Sequence, residues 1–288
     1  MIKSIHLPNK EFATKEELFL ALKENLDLII DAKKSVIQKS CEKGLSVTCK
    51  SVNYIDLLKF EDQTKGIKVD DNFYYIATST SRILDNHDDF HTDGMWKKCI
   101  LECQGKNYLV ADHCLELDKV IVRKAYVEIF TAKIPFSLLG KPYEGNTEAL
   151  IYKVPKDKIV NKVAKEWLES GDEIEASVRM QYVSILFAMD SANPEDATNK
   201  KNYDNYINQI ANKNDFEYIP YFFIIKEAKN VRESSLVVFG SNHVTGTVTN
   251  NKNQADNNSL DEIKNEPLEN TQIEEIPQTD EKKYYYQN

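Results

Sequence analysis

Polar and apolar positions follow two different rhythms along the chain, and from residue 249 onward they follow none. Over residues 1–50 the rhythm is helical. Phe19, Leu22, Leu26, Ile29 and Ile30 recur at roughly three- and four-residue steps and lay an apolar stripe along one side of a helix. Thr14 followed by Glu17 is the capping-box spacing, in which each side chain satisfies a free amide of the first turn, and Gly44 supplies a stop. A helix with such a stripe must pack on the following domain or on a partner. Over 51–248 the rhythm is that of short strands between polar turns: 73–79, 96–103, 107–112, 119–130, 148–154, 173–189, 219–226 and 234–239. One helix interrupts them. Pro155 fits its first turn, Ile159, Val160, Val163, Ala164, Trp167 and Leu168 mark its buried face, and Ser170-Gly171 ends it. Residues 190–217, rich in Asn, Asp and Lys, read as an exposed insertion with a short helix at 203–211. From 249 to 288 no rhythm remains. Apolar residues there are too sparse to offset the entropy of ordering, so this tail is expected to be disordered. The pattern predicts an α+β protein with a helical start, a strand-rich domain and an acidic tail.

Charge sharpens that division. Residues 250–288 hold nine acidic and four basic side chains, so −5 of the formal −9 lies in the tail. Its end, Lys282-Lys-Tyr-Tyr-Tyr-Gln-Asn288, departs from the acidic run and reads as a solvated terminus or as a docking signal anchored by tyrosines. The net negative charge argues against a general nucleic-acid binder. No apolar run is long enough to cross a membrane, and Met1–Glu11 lacks the apolar core of a secretion signal. Five cysteines (41, 49, 99, 103 and 114) contain no CxxC pair, which fits reduced thiols better than a disulfide framework. The expectation is a soluble, intracellular protein.

Five histidines bound the candidate chemistry. His6 and His243 lie near segment ends. His87 and His91 have the i, i+4 spacing of a helical zinc pair, but Asp88 stands where a metallohydrolase needs glutamate, and the flanks are turn-formers. With His113 or Cys114 they define a zinc alternative. His113 ends the strand-like run Tyr108-Leu-Val-Ala-Asp-His113, which is a rigid mount for a base. Ser177 lies on a second strand, in Glu173-Ile-Glu-Ala-Ser177, and Glu233 opens a third, in Arg232-Glu-Ser-Ser-Leu-Val-Val. Taken singly, these are a core histidine, an edge hydroxyl and a strand-start carboxylate. Taken together they supply a nucleophile, a base and an orienting acid. Ser184 and His87 are the second choices for nucleophile and base.

In order along two-thirds of the chain, these segments resemble the prohead maturation proteases of tailed bacteriophages, distant relatives of herpesvirus assemblin. Thr78-Ser-Thr-Ser81, Asp85 and Asp93-Gly-Met-Trp96 are similar to the family's opening strand and Asp-rich turn. Asp112-His113 resembles the segment of its histidine. Thr147-Glu-Ala-Leu-Ile-Tyr152, the helix 156–169 and Gly171 resemble what precedes its serine, and Ala176-Ser-Val178 sits where that serine strand falls. Arg232-Glu-Ser-Ser-Leu-Val-Val-Phe-Gly-Ser-Asn242 is similar to its late Glu-x-Ser-Leu-Val-x-x-Pro-Ala-Asn strand and is the most specific of these motifs. Arg179 replaces a common glycine, Gly240-Ser241 replace Pro-Ala, and 190–217 are additional.

The resemblance implies a closed, mostly antiparallel β-barrel flanked by helices, spanning 51–248. It implies a serine endopeptidase with Ser177 as nucleophile, His113 as base, Glu233 as orienting acid and Arg179 near the oxyanion, without metal or cofactor. The implied substrates are the scaffolding and major capsid proteins and the chain itself, cut inside the procapsid in the host cytoplasm. Self-association is a further expected partner relation; neither nucleic acid nor membrane is expected as a partner. The alternatives are an inactive capsid-assembly protein of the same fold and a zinc hydrolase using His87, His91 and His113.

Overall fold

The computed structural model describes residues 1–38, 70–172, 174–238 and 246–247. Gly44, Glu173, residues 240–242 and the tail 249–288 lie outside them. Two short strands, β1 (Ile2–Lys3) and β2 (Glu11–Phe12), pair ahead of the first helix. Thr14 then accepts the Glu17 N–H at 3.2 Å, while the Glu17 carboxylate reaches back to the Ala13 N–H at 2.8 Å. The expected single helix is two, α1 (Lys15–Glu24) and α2 (Leu26–Lys34). Asn25 divides them because its backbone and side-chain N–H groups both turn back to the Ala21 carbonyl. Leu18, Phe19, Ala21, Leu22 and Ile29 share one apolar core with the strands that follow, so the stripe packs on the chain's own sheet.

Two larger sheets carry the rest. In the first, β12 (Gly246–Thr247), β4 (Phe73–Thr80), β9 (Asn146–Pro155) and β8 (Glu128–Pro135) lie side by side in that order. In the second the order is β3 (Val36–Gln38), β10 (Glu175–Met189), β11 (Tyr221–Val237), β6 (Tyr108–Ala111) and β7 (Val120–Val122), with β5 (Asp89–His91) also on β11. The fold is mixed α and β. The expected closed barrel is not completed by the strand pairings of the described residues. At the rim, the Gln104 side-chain amide accepts the Ile129 N–H at 3.2 Å and donates to the Ile129 carbonyl. That occupies a hydrogen-bonding position on the free side of β8 which a further strand would need.

Several segments differ from their sequence-based reading. Residues 96–103 form a helix, α3 (Lys97–Cys103), since Cys99 and Cys103 fall on its buried face, four residues apart, while Leu101 between them is 84% exposed. The run 119–130 divides around a 3₁₀ turn, Lys124–Tyr126. Pro155 ends β9, and the helix α4 (Lys162–Ser170) begins later, capped by Asn161 and ended by Gly171 at φ +75°. Residues 219–226 and 234–239 belong largely to one seventeen-residue strand, β11. The 190–217 segment is also not a simple exposed insertion. Tyr203 of α5 (Ala197–Tyr206) and Ile210 are buried against Phe90, Phe222 and Ile224. Asn212 bonds both the N–H and the carbonyl of Leu84, at 2.9 and 3.0 Å.

Two polar knots hold the sheets to their surroundings. Ser81 and Arg82 donate to Asp93, and the Gly94 N–H donates to Glu148 at 2.7 Å. Burial alone would raise the Asp93 carboxyl, but hydrogen bonds from Arg82 and Ser81, with the charges of Arg82 and Lys133, leave it below its ordinary value. A depressed carboxyl stabilises the fold above its unfolded-state value and loses that contribution as pH falls through the folded-state value. Asp93→Asn is expected to lower stability at about pH 7 and to flatten its decline below about pH 4 in urea titrations; an unchanged pH profile contradicts this role. In the second knot, Lys33 meets Asp89 at 2.5 Å with both side chains buried, and Tyr182 donates to the other Asp89 oxygen at 2.8 Å. Removing one partner strands a buried charge, so Lys33→Met is expected to cost about 3 kcal/mol in urea unfolding.

Candidate active site

The site is assembled where three adjacent strands meet. Central β11 runs antiparallel to β10 and parallel to β6. The register places Ser177 directly opposite Ser235, and Ser235 beside Val110 of β6. Cross-strand partners share a face, and so do residues two apart on one strand. Ser177, Ser235 and Glu233 therefore face the same side. β6 ends one residue later: the Asp112 N–H makes a 3.0 Å bond to the Leu236 carbonyl. Asp112 and His113 then both adopt positive φ, 51° and 57°, and the Cys114 N–H closes on the Ala111 carbonyl at 3.0 Å. This is the signature of a type I′ turn, uncommon for residues other than glycine, asparagine and aspartate. It folds the His113 ring back over β11.

The ring joins the other two residues. His113 Nδ1 lies 2.9 Å from Glu233 Oε1, and Nε2 lies 2.9 Å from Ser177 Oγ. A carboxylate can only accept, so the proton sits on Nδ1 and Nε2 is the acceptor facing the serine hydroxyl. Ser235 completes the arrangement. Its hydroxyl donates to Glu233 Oε2 at 2.7 Å, and its oxygen accepts the His113 backbone N–H at 2.9 Å. Glu233 is fully buried, Ser177 is 4% exposed and His113 is 6% exposed. Sequence reasoning did not single out Ser235, although the third position of Glu-x-Ser-Leu-Val carries it and strand alternation puts it on the acid's face.

Behind the sheet a second polar group sets where Glu233 stands. Opposite Arg179 alone, β11 carries three residues, 231–233, so the strand bulges, and Arg232 takes φ +70° within the bulge. Asn230 spans it, donating to Ser234 Oγ at 3.1 Å and to Tyr152 Oη at 2.6 Å while accepting from Asn107 at 2.8 Å. Burial raises the Tyr152 phenol, so it stays protonated in this knot.

The remaining candidates lie apart. Ser184 is seven residues further along β10, about 23 Å at strand rise, and pairs with Glu227. His87 sits in the turn before β5, where its carbonyl accepts from Lys33. His91 is on β5, not a helix, and its Nε2 meets Tyr182 at 3.1 Å. Among the described residues no group of three His, Cys, Asp or Glu side chains is arranged to hold a metal ion. Arg179 Nε is buried and has no hydrogen-bond partner among the described residues.

The fold and site define a mixed α/β protein with a buried, hydrogen-bonded serine–histidine–glutamate group held by β10, β11 and the turn after β6. No protein-family model matches the chain, and no significant match was found among curated proteins or solved structures.

The geometry predicts a tautomer that can be measured. Glu233→Gln replaces an acceptor with a group that can also donate, so His113 is expected to shift toward its Nε2-protonated form in ¹⁵N NMR. An unchanged His113 spectrum contradicts the pairing.

Proposed function

We propose that the protein is a serine endopeptidase of the prohead-maturation type, with Ser177, His113 and Glu233 as its catalytic groups. The supporting observation is the single imidazole held at 2.9 Å from both a serine hydroxyl and a buried carboxylate. A serine is a weak nucleophile until a base takes its proton, and that contact supplies the base. Ser177 Oγ attacks the scissile carbonyl as its proton passes to His113 Nε2. Glu233, with Ser235 on its second oxygen, holds the imidazole in the required tautomer and stabilises its positive charge. The intermediate collapses as Nε2 returns the proton to the leaving amine, and water then releases the acyl group through the same base. Arg179, two residues along β10 with a buried Nε–H that has no partner among the described residues, is the candidate donor to the oxyanion.

In this reading β10, which lies against β4 and β12 as well as pairing with β11, is where the two sheets approach a barrel-like arrangement. The substrates are the scaffolding and major capsid proteins and the chain itself, cut inside the procapsid in the host cytoplasm. A second reading, a capsid-assembly protein of the same fold that does not cut, draws on the low exposure of Ser177. Co-expression separates the two. Ser177→Ala is expected to abolish cleavage of capsid protein while leaving the thermal transition unchanged, a loss on the order of 10³-fold or more. Full cleavage by that variant sinks the assignment, and a parent that never cuts supports the second reading.

A further inference from the structure

On its ladder side Asn230 pairs with Met180 of β10, and on its other side β6 begins only at Tyr108, opposite Glu233. The backbone of Asn230 is met there by two thiols of α3. Its N–H donates to Cys99 Sγ at 3.0 Å, and Cys103 Sγ donates to its carbonyl at 3.5 Å. The two sulfurs are 2.7 Å apart. Residues four apart on a helix have Cα atoms about 6 Å apart, within the span a disulfide bridges. Their Cβ atoms are about 5–6 Å apart against the roughly 3.5–4.5 Å the bond requires, so closing it must unwind the last turn of α3, which ends at Cys103. We infer that Cys99 and Cys103 are a redox-active dithiol whose oxidation by a peroxide to a disulfide takes the thiol donor from the Asn230 carbonyl and loosens the bulge that positions Glu233.

The chemistry needs only the named oxidant. The Cys103 thiolate attacks one peroxide oxygen, breaking the O–O bond; sulfenic acid forms, and the other oxygen leaves as water after taking a proton. Cys99 sulfur then attacks the sulfenic sulfur. An S–S bond replaces S–O, and the departing hydroxide leaves as a second water with the Cys99 proton. Two thiols lose two electrons, and the peroxide gains them. The hydrogen bond between the thiols lowers Cys103, against the effect of burial, and raises Cys99, which fits Cys103 as the first to react. With Cys99 and Cys103 only 3% and 6% exposed, a small peroxide suits the site and a bulky disulfide reagent does not. Oxidation removes the S–H that Cys103 gives to the Asn230 carbonyl, leaving that carbonyl only the 3.4 Å bond from the Asn107 side-chain amide, and the unwound end of α3 draws Cys103 away from it. Asn230 also bonds Ser234 and Tyr152, so its displacement is transmitted to the residues flanking Glu233.

The test uses the full chain treated with hydrogen peroxide. Both cysteines lie between Lys98 and Lys106, so one tryptic peptide reports the pair. It is expected to lose two hydrogens and to regain them with dithiothreitol. Amide hydrogen exchange over residues 228–234 is expected to rise about tenfold in the oxidised form and to return on reduction. Cys103→Ser keeps a hydroxyl donor for Asn230 and is expected to keep slow exchange with or without peroxide. Stepwise oxygen addition without hydrogen loss overturns the proposal, as does a disulfide that leaves exchange unchanged or a Cys103→Ser variant whose exchange still responds. Any accompanying loss of hydrolysis rests on the serine-protease reading; the mass and exchange readouts do not, so the two ideas fail separately.

Discussion

The pairing of β10 with β11, interrupted by one bulge, is the constraint from which the site follows. Regular pairing puts Ser177 across from Ser235, and the bulge at 231–233 then decides which acidic side chain reaches the histidine. A slip of one residue would turn Glu233 to the opposite face, away from His113 and Ser235, and leave a buried carboxylate without the groups that satisfy it, which is costly in a buried sheet. The register is thus held by the cost of the alternatives as much as by its own bonds. The two consecutive left-handed residues at 112–113 serve the same end from β6. They accept local backbone strain to bring the imidazole back over the central strand, the kind of conformation that persists where its surroundings over-determine it.

Burial gives this arrangement its energetic character. Glu233 lies at zero exposure, so each of its oxygens must be satisfied; His113 takes one and Ser235 the other. Ser235 also fixes the histidine backbone, so one hydroxyl orients both acid and base. On the opposite face, Asn107, Tyr152, Asn230 and Ser234 satisfy one another around the bulge. The central strand is therefore pinned by polar contacts on both faces, with the apolar core around them. Such networks specify one geometry when complete and weaken the fold when one member is missing.

Much of this was legible in the residues. His113, Ser177 and Glu233 stood out because each follows or interrupts an apolar run; His113 falls in the turn after β6 and Glu233 within β11 rather than at its start, and the structure brings the three within hydrogen-bond reach. The Thr14 cap and the Gly171 stop were legible because capping chemistry is local. What was not legible depends on distant parts of the chain. The polar residues Glu227, Lys229 and Arg232 left 227–233 as a turn between two predicted strands, yet Ala228 and Asn230 among them are buried, because α3 and β10 flank that stretch of β11. Residues 96–103 read as a strand on apolar content, where the spacing of Cys99 and Cys103 marked a helix. The 190–217 segment looked exposed because its buried anchors, Tyr203, Ile210 and Asn212, are few and widely spaced. The barrel was expected from resemblance alone, and the pairings of the described strands give two separate larger sheets instead.

The central claim is that His113 activates Ser177, and covalent labelling measures that step directly. The full-length protein would be incubated with an organophosphorus fluoridate and its peptides mapped by mass, beside a His113→Ala variant. The account predicts one adduct, on Ser177, that disappears when His113 is removed. Labelling of Ser177 that persists without His113, or an adduct confined to other serines, would contradict it.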